Sequence, residues 1–436
     1  MLFRSKLLAH GAAVSAVWTQ TWCGTTKTLL GDRVTWNWVA QPGWSGEVSA
    51  LAERGQRALC YVNPMLRDVS ADADPPSRNL YREAVDNGYE VHDATGAAYV
   101  LRQGTFDVVL LDLSNPDARA WMKSVLKDEV LGAGCSGWMA DFGEALPFDA
   151  VLASGEPPAA WHDRYPVEWA RLNREAVAEA GRQDDVLVFH RSGFTGTSGV
   201  APMLWVGDQT VTWDGYDGLA SAVHGLLEGG FSGLALNHSD AGGYTVVPVA
   251  DPPVQRSAEL LMRWVELGAF TTLLRTHEGS APSQNAQVYD DDASASHFAR
   301  FSKVYRALAT LRRSLFEDAS AHGWPVARPL ALHHPDLPAA WDVADEFELG
   351  PDVLVAPVIE PCTGATDCTV ARSLWLPPGD WVHLWTGAHH DGGTAGADVV
   401  VDAPLGQPPV FLRAGSASGA QIVQALKAEG LDVPGE

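Results

Sequence analysis

Short apolar runs recur along the first three quarters of the chain, and stretches with helical periodicity separate most of them. The runs lack polar alternation, which indicates strands buried on both faces, as in a parallel sheet wrapped by helices. The candidate strands with this pattern are 13–18, 58–63, 107–112, 137–142, 185–190, 203–208, 232–237 and 270–275. Helical patterns lie between them, for example at 115–131, 164–181, 218–227 and 254–267. Eight such units over roughly 250 residues predict a (β/α)8 barrel.

A change of pattern near Phe316 marks a second region. From there Pro, Gly and short alternating runs replace the helical stretches, which is typical of a small antiparallel β-domain. We therefore predict an α/β protein with a (β/α)8 TIM barrel at residues 1–315 and a C-terminal β-sandwich domain at residues 316–436. A doubly wound open sheet is the alternative, but no GxGxxG motif follows an early strand, as that fold would require for a dinucleotide.

The composition excludes several classes of protein. The 436 residues include 54 acidic and 30 basic side chains, for a net charge of -24, and such a chain repels nucleic acid backbones. No apolar run reaches membrane-spanning length. Residues 4–18 fit a helix end followed by a strand better than a signal peptide, which favours a cytoplasmic location. The 17 Trp residues suit a wide core and also pockets that stack on sugar faces.

The five cysteines give no metal-binding pattern. Cys23, Cys60 and Cys135 lie in or beside apolar runs, so we predict that all three are buried thiols. Cys362 and Cys368 bracket a Gly/Thr-rich loop and could form a local disulfide. No Cys/His group has zinc spacing, and no GxSxG motif follows a strand. The sequence therefore predicts neither a metal nor another cofactor, and no serine nucleophile.

Polar residues follow the predicted strands, where the reacting groups of a (β/α)8 barrel lie. These strand-end residues are Gln20, Asn63, Asp112, Asp141 with Glu144, His190 with Arg191, Asp208, Asp240 and His277. Asp112 fits a cap of the next helix. Asp141 and Asp208 each follow an apolar strand that contains Trp, and each precedes a loop rather than a helix. Two carboxylates that face one cavity are the groups that cleave glycosidic bonds.

Several long blocks resemble glycoside hydrolase family 31, the retaining α-glucosidase-like family. GWMADFGEALP (137–147) is similar to its nucleophile block, and HRSGFTGTSG with LWVGDQ (190–209) is similar to its acid/base block. LNHSDAGGYT (236–245), RTHEG (275–279) and the C-terminal run from GPDVLVAPV to PVFLRAGS resemble later parts of the family. The resemblance covers nearly the whole chain and implies a barrel followed by a β-domain.

The resemblance also implies a role for individual residues. Asp141 is expected to be the nucleophile and Asp208 the general acid/base, with carboxyl groups about 5–5.5 Å apart as in retaining enzymes. Arg191, His277 and Asp240 are expected around the reacting sugar. For Glu144 a pocket role and a supporting role are equally open.

A narrower resemblance concerns the start of the chain. AVWTQTWCG (16–24) and DRVTWNW (32–38) are similar to the first barrel strand and loop of the sulfoquinovosidase branch of this family. That branch cleaves α-glycosides of 6-deoxy-6-sulfoglucose. The resemblance implies that Gln20, Arg33 and Trp36 contact the sugar and its sulfonate, assisted by Tyr244. An Arg fork suits a permanent oxyanion, and an indole N–H adds a donor.

Two departures from the family pattern are visible. The family often has Asp after the strand-end Gln, whereas this chain has Thr21. The family also carries a β-sandwich before the barrel, and this chain starts just ahead of the first strand. We therefore expect a partial family member with an exposed barrel flank and a tendency to self-associate.

The predicted function is retaining hydrolysis of α-sulfoquinovosides by double displacement, with sulfoquinovosyl glycerol or a sulfolipid-derived glycoside as substrate. One alternative is a family 31 α-glucosidase or α-xylosidase for neutral sugars, in which Arg33 serves only in a salt bridge. The other alternative is a non-catalytic sugar-binding remnant.

Overall fold

The computed structural model describes residues 2–28, 31–247, 250, 253–363 and 368–434. They form two compact units. The first unit is Val14–Leu204, and the second combines Met1–Ala13 with Trp205–Glu436. The second unit begins with helix α1 (Leu2–Ala9). Within the described residues, no helix is long and apolar enough to cross a membrane.

The first unit is built around a parallel sheet. Its strands are β1 (Ala16–Trp18), β2 (Thr25–Thr28), β3 (Gly31–Val34), β4 (Arg57–Val62), β5 (Met65–Leu66), β6 (Val100–Gln103), β7 (Phe106–Leu110), β8 (Gly137–Ala140), β9 (Leu187–His190) and β10 (Leu204–Trp205), of which only Leu204 lies in this unit. Its helices are α2 (Trp44–Ala52), α3 (Leu80–Asn87), α4 (Pro116–Val125), α5 (Pro158–His162) and α6 (Tyr165–Glu179). Strands β1, β4, β8, β9 and β10 follow one another in parallel.

The strand register determines which side chains meet at the sheet edge. Ala140 of β8 pairs with His190 of β9. Their successors, Asp141 and Arg191, therefore leave the sheet side by side, because parallel strands end at the same edge. The apolar runs of β4 and β8 are buried along nearly their whole length, as their lack of polar alternation predicts.

One predicted barrel strand is wrong. The run at 107–112 corresponds to β7, which pairs antiparallel with β5 and β6 in a separate sheet. Asp112, just after β7, is buried and accepts hydrogen bonds from the backbone N–H groups of Ser114 (2.9 Å) and Ala153 (2.6 Å). Asp112 therefore stabilises the chain around it.

The prediction of three buried thiols is also wrong in part. Cys60 of β4 and Cys135, just before β8, form a disulfide with their Cα atoms 5.9 Å apart. The two residues are 75 positions apart in the sequence, and the parallel pairing of β4 with β8 brings them together. Cys23 is a buried thiol as predicted.

The second unit holds the remaining elements. Its other helices are α7 (Leu219–Phe231), α8 (Ala258–Gly268), α9 (Asp292–Ala307), α10 (Ala309–His322), α11 (Leu330–His333), α12 (Pro338–Asp342) and α13 (Ala417–Ala428). Its strands are β11 (Asn237–His238), β12 (Asp240–Ala241), β13 (Arg275–Thr276), β14 (Arg328–Pro329), β15 (Phe347–Glu348), β16 (Val353–Val355), β17 (Val370–Leu376), β18 (Asp380–His383), β19 (His389–Asp391), β20 (Ala397–Ala403) and β21 (Val410–Arg413). Strands β12 and β13 are parallel.

The C-terminal strands are antiparallel, as the alternating pattern predicts. Strands β14, β15, β16, β21, β18 and β19 form one sheet in that order, and β17 pairs with β20. Their core includes Leu354, Leu376, Trp381 and Phe411. Helix α10 continues to His322, past the predicted boundary at 315/316, and that boundary stays a prediction.

Candidate active site

Asp141 follows β8 and is buried, with a relative exposure of 7%. The donors around its carboxylate include the Tyr61 hydroxyl at 2.6 Å from Oδ2, the Phe142 backbone N–H at 2.9 Å from Oδ1, and the Arg191 Nη1 at 3.2 Å from Oδ1. Hydrogen bonds and a nearby cation favour the ionised form of a carboxyl group. The surroundings therefore suit a carboxylate that acts as a nucleophile.

The Tyr61 hydroxyl is placed to donate to Asp141 and keeps its proton. Its pKa is raised well above the ordinary value, first by burial and then by the negative charge of Asp141. The Asn63 amide donates to the Tyr61 hydroxyl oxygen at 3.2 Å, and the Asn63 carbonyl accepts from the Met65 N–H at 2.8 Å. The hydroxyl proton of Tyr61 is thus directed at the carboxylate.

The backbone after Asp141 is strained. Phe142 has φ 57, which is unusual for a residue with a side chain. The Ser192 hydroxyl donates to the Phe142 carbonyl at 2.7 Å. A Cβ on Gly143 would lie 2.6 Å from the Ser192 Oγ, so the tight turn requires glycine there. Strain of this kind costs about 1–3 kcal/mol and persists where the surrounding structure holds it, often at functional sites.

Arg191 connects two carboxylates. Its guanidinium forms ion pairs with Asp141 and with Glu144, and it lies over the Phe142 ring at 4.0 Å from the centroid. The Glu144 side chain is 46% exposed. Glu144 therefore holds Arg191 in place beside Asp141.

Trp36 packs next to the same cluster. Its ring makes edge contacts with Phe142 (centroids 5.2 Å apart) and with Phe106 (5.3 Å). The residue is buried, and its indole N–H has no hydrogen-bond partner among the described residues. A buried donor of this kind calls for a ligand or water.

The other two residues expected to recognise the sulfonate lie close in sequence. Arg33 is exposed on β3, where it pairs with Thr26 of β2. Gln20 is half-buried and begins the turn of helix that follows β1. No ion pair joins Arg33 to another residue within the described ranges.

Asp208 lies in the second unit, after the end of β10. Its side chain is exposed. The backbone on both sides is fixed, because the Thr245 hydroxyl donates to the Asp208 carbonyl at 2.7 Å and the Tyr244 N–H donates to the Gln209 carbonyl at 2.8 Å. The structure therefore brings Asp208 close to the segment that carries Tyr244.

Asp240 is buried and forms an ion pair with Arg275. The two residues are register partners of β12 and β13. Arg275 also lies 3.3 Å from the His238 ring, measured between Nε and Nε2, and its guanidinium is 5.9 Å from the Trp205 centroid. Because Arg275 balances its charge, the Asp240 carboxylate can accept hydrogen bonds from a sugar without being an uncompensated buried charge.

His277 is a neutral hydrogen-bond donor in this structure. Its Nδ1 accepts the Gly279 N–H at 2.9 Å, so the ring proton is on Nε2. Its pKa is well below the ordinary value, because of burial first and then the charges of Arg275 and Arg256. The ring meets Tyr244 edge-on, with centroids 4.7 Å apart.

Sequence reasoning missed three residues of these clusters. Tyr61 lies inside a predicted strand, and its signal was the two-residue spacing from Asn63, which places both on one face. Arg275 is the last residue of the predicted strand at 270–275 and the first residue of β13. Arg256 precedes α8 and donates to the carbonyls of Gly243 (3.1 Å) and His277 (2.8 Å), a role that only the fold reveals.

Both regions of the chain match family profiles. The profile described as "Glycosyl hydrolases family 31 TIM-barrel domain" matches residues 3–317, and "Glycosyl hydrolase family 31 C-terminal domain" matches residues 323–417. The chain therefore belongs to glycoside hydrolase family 31. The predicted fold, a TIM barrel followed by a C-terminal domain, is confirmed.

The similar proteins include enzymes of the predicted branch. The chain is 40% identical over 417 residues to a sulfoquinovosidase of Agrobacterium fabrum, which covers 94% of this chain and 60% of that protein. It is 40% identical over 410 residues to a sulfoquinovosidase of Escherichia coli, covering 93% and 57%. A solved sulfoquinovosidase from E. rectale, in complex with the aza-sugar inhibitor IFGSQ, superposes with a TM-score of 0.88 at 37% identity and covers 98% of this chain and 61% of that one. The chain spans about 60% of the length of each of these three relatives.

Removing the Tyr61 hydroxyl tests the role of its hydrogen bond to Asp141. A hydrogen bond to a charged group contributes about 1.5–3 kcal/mol, so we expect Tyr61→Phe to lower kcat/KM for an α-glycoside by about ten- to a hundredfold. Tyr165→Phe is the matched control, because the buried Tyr165 hydroxyl donates to the Leu111 carbonyl at 2.7 Å instead. Steady-state kinetics with circular dichroism would check the result. An unchanged kcat/KM in a folded Tyr61→Phe protein would contradict the assigned role.

Proposed function

We propose that the chain carries the catalytic site of a retaining α-glycosidase that hydrolyses α-sulfoquinovosides. The observation that carries the proposal is the packing of Trp36 on Phe142. Trp36 is the residue expected to contact the sulfonated sugar, and Phe142 directly follows the expected nucleophile. Trp36 therefore packs on the residue that follows Asp141, and all three residues lie in the first unit.

The proposed reaction has two displacements. In the first, the Asp141 carboxylate attacks the anomeric carbon while Asp208 gives a proton to the leaving glycosidic oxygen, which forms a glycosyl ester on Asp141. In the second, Asp208 takes a proton from water, which attacks the same carbon and releases Asp141. The donors around Asp141 support its ionised form, and the exposure of Asp208 lets it exchange protons with solvent.

The proposed substrate follows from charge. A sulfonate is a permanent anion, and a chain with a net charge of -24 must supply a local cation to bind it. Arg33 is exposed and the buried indole N–H of Trp36 is available as a donor. Gln20 and Tyr244 complete the set that the family resemblance implies. Sulfoquinovosyl glycerol or a sulfolipid-derived glycoside fits this set, and the relatives named as sulfoquinovosidases support it.

A pair of chromogenic substrates tests the proposal. We expect the purified chain to hydrolyse 4-nitrophenyl α-sulfoquinovoside with a kcat/KM about ten- to a hundredfold above that for 4-nitrophenyl α-glucoside, because a hydrogen bond to a charged group contributes about 1.5–3 kcal/mol. Proton NMR should show the α-anomer of the sugar first, because the mechanism retains configuration. A preference for the glucoside would favour an enzyme for neutral sugars. Binding without turnover would favour a sugar-binding remnant.

The guanidinium of Arg33 is expected to set the specificity. Arg33→Ala should lower kcat/KM for the sulfonated glycoside by about ten- to a hundredfold, whereas activity on the glucoside should hold or rise. Trp36→Phe, which removes one donor, should act in the same direction more weakly. Arg54→Ala is the matched control, because Arg54 is exposed and its guanidinium donates to the Ala50 carbonyl of the preceding helix α2.

The ratio of the two kcat/KM values decides the role of Arg33. A surface ion pair would contribute only about 0–1 kcal/mol to stability and nothing to specificity. If the ratio for Arg33→Ala equals that of the parent chain, Arg33 does not contact the sulfonate.

A further inference from the structure

Arg256 is a buried cation just before helix α8, with a relative exposure of 3%. The acceptors of its side chain include the carbonyls of Gly243 (3.1 Å), His277 (2.8 Å), Glu278 (3.4 Å) and Ala286 (2.8 Å), and the Gln287 Oε1 (3.0 Å). These acceptors belong to separate stretches of the second unit. One guanidinium therefore joins residues 243, 277–278 and 286–287.

Two of these acceptors belong to segments that carry expected substrate-binding residues. Gly243 directly precedes Tyr244, and the second carbonyl is that of His277 itself. The two segments also meet directly. The Ser280 N–H donates to the Tyr244 carbonyl at 2.8 Å, and the Tyr244 and His277 rings make an edge contact with centroids 4.7 Å apart. Arg256 therefore bridges the backbones of two residues that are expected to face the sugar.

Arg256 is itself fixed at its backbone. Its N–H donates to the Asn285 Oδ1 at 3.0 Å. The next residue, Ser257, caps α8, because its side chain accepts the Leu260 N–H at 3.1 Å. The start of α8 and the segment at 285 thus define where the Arg256 side chain begins, so its guanidinium transmits that position to the carbonyls it binds.

An arginine suits this position better than another cation. The guanidinium carries five N–H donors in a planar fork, whereas a Lys ammonium carries three on a single atom. A Cβ on Gly242 would lie 2.6 Å from the Arg256 Cδ, so glycine there lets the Tyr244 segment approach the side chain closely. Burial lowers the pKa of Arg256 to about 10, and the guanidinium therefore remains charged at neutral pH.

We propose that Arg256 is a positioning residue that holds the Tyr244 segment against the His277 segment and thereby sets the preference for a sulfonated sugar. The inference rests on the proposed function, in which Tyr244 assists in binding the sulfonate. Because Arg256 is buried, it acts through the two backbones rather than by touching the substrate.

Arg256→Lys tests this role, because lysine keeps the charge and loses the fork. We expect the ratio of kcat/KM for 4-nitrophenyl α-sulfoquinovoside to that for 4-nitrophenyl α-glucoside to fall about tenfold, since a hydrogen bond to the sulfonate is then misplaced. The change should appear mainly in KM for the sulfonated substrate. A residue that only stabilised the fold would lower the active fraction, and with it the activity on both substrates equally.

Arg312→Lys is the matched control. Arg312 is also a buried arginine of the second unit, and its guanidinium donates to the carbonyls of Thr271 (3.1 Å), Tyr305 (2.9 Å) and Ala269 (3.2 Å). We expect Arg312→Lys to lower Tm, as Arg256→Lys should, and to keep the substrate ratio of the parent chain. Steady-state kinetics and thermal melts of both variants separate positioning from stability.

A milder variant keeps the test available if Arg256→Lys does not fold. Gln287→Leu removes one acceptor of the guanidinium and leaves Arg256 in place. We expect it to lower the substrate ratio in the same direction by about threefold.

A double-mutant cycle shows whether Arg256 acts through Tyr244. Tyr244→Phe removes the hydroxyl that is expected to assist in binding the sulfonate, and it should lower the substrate ratio by itself. In that background Arg256→Lys should lower the ratio no further, because the contact that it positions is already absent. An equal fall in both backgrounds would overturn the proposed link between the two residues.

Hydrogen exchange followed by mass spectrometry gives a readout that needs no turnover. Arg256→Lys should speed exchange in peptides that cover residues 243–245 and 277–280 by about tenfold. These peptides contain the Tyr244 N–H, which donates to the Gln209 carbonyl, and the Ser280 N–H, which donates to the Tyr244 carbonyl. Arg312→Lys should leave both peptides at the parent rate.

The outcomes separate this inference from the proposed function. A parent chain without a preference for the sulfonated substrate would contradict the proposed function and with it the specificity role of Arg256. A parent chain with that preference, and an unchanged ratio in folded Arg256→Lys and Gln287→Leu, would overturn the role of Arg256 alone. Unchanged exchange at 243–245 and 277–280 in Arg256→Lys would show that Arg256 does not hold the two segments, whether or not hydrolysis occurs.

Discussion

Asp141→Asn should remove hydrolysis of the α-glycoside almost completely, with kcat/KM lowered by about 10⁴-fold or more. The amide keeps the size of the carboxylate, and its one oxygen can still accept from Tyr61 or from Phe142, so the fold should remain. It cannot form the glycosyl ester, because an amide oxygen is a weak nucleophile. The expected loss is therefore chemical rather than structural.

The matched control for this variant is Asp112→Asn. Asp112 is also a buried carboxylate just after a strand, but it accepts from the backbone N–H groups of Ser114 and Ala153. We expect Asp112→Asn to lower Tm and to leave kcat of the folded fraction near the parent value. Steady-state kinetics and thermal melts of both variants check the contrast. Activity within tenfold of the parent in folded Asp141→Asn would remove Asp141 from the nucleophile role.

The sequence predicted the parallel strands β4, β8 and β9, which lead to candidate site residues, better than it predicted β7. The runs that became β4, β8 and β9 are continuous apolar segments, and burial on both faces leaves that signature directly. The run at 107–112 has the same signature, yet β7 lies in an antiparallel sheet. An apolar run reports burial and does not report strand direction or the choice of partner.

Contacts between residues that are far apart in the sequence were the other feature that the sequence could not predict. Cys60 and Cys135 meet only because β4 and β8 are adjacent. Arg275 neutralises Asp240 only because β12 and β13 share a register. The number of Trp residues does not by itself indicate a sugar-binding pocket. Trp22, Trp138 and five other Trp side chains are fully buried in the core, and composition alone cannot distinguish them from a Trp beside a site.

The resemblance to family 31 predicted roles of individual residues that the hydrophobic periodicity could not predict. The apolar pattern places Asp141 and Arg191 at strand ends, and the register confirms that they are adjacent. The expected role of Trp36 came only from the family motif, and its buried indole N–H beside Phe142 is the feature that the structure adds. The specific chemistry of a site therefore needed both the motif and the packing around it.

Loss of the Asp208 carboxylate should depend strongly on the leaving group. A glycerol leaving group needs a proton as the glycosidic bond breaks, whereas a nitrophenolate leaves without one. We therefore expect Asp208→Ala to lower kcat/KM for sulfoquinovosyl glycerol by about 10²–10⁴-fold, and to lower it far less for the nitrophenyl glycoside. Asp214→Ala is the matched control, because Asp214 lies in the same loop and accepts from the N–H groups of Tyr216 and Asp217.

The second half of the reaction gives an independent test of Asp208. Without a base to activate water, the glycosyl ester on Asp141 should accumulate in Asp208→Ala and limit turnover. Azide is a strong nucleophile that needs no base, so adding it should speed release of nitrophenol and yield the α-glycosyl azide. The control variant Asp214→Ala should show no such rescue, because Asp208 still activates water. If Asp208→Ala loses activity equally on both substrates and azide does not restore it, the carboxylate has a structural role and another residue must supply the proton.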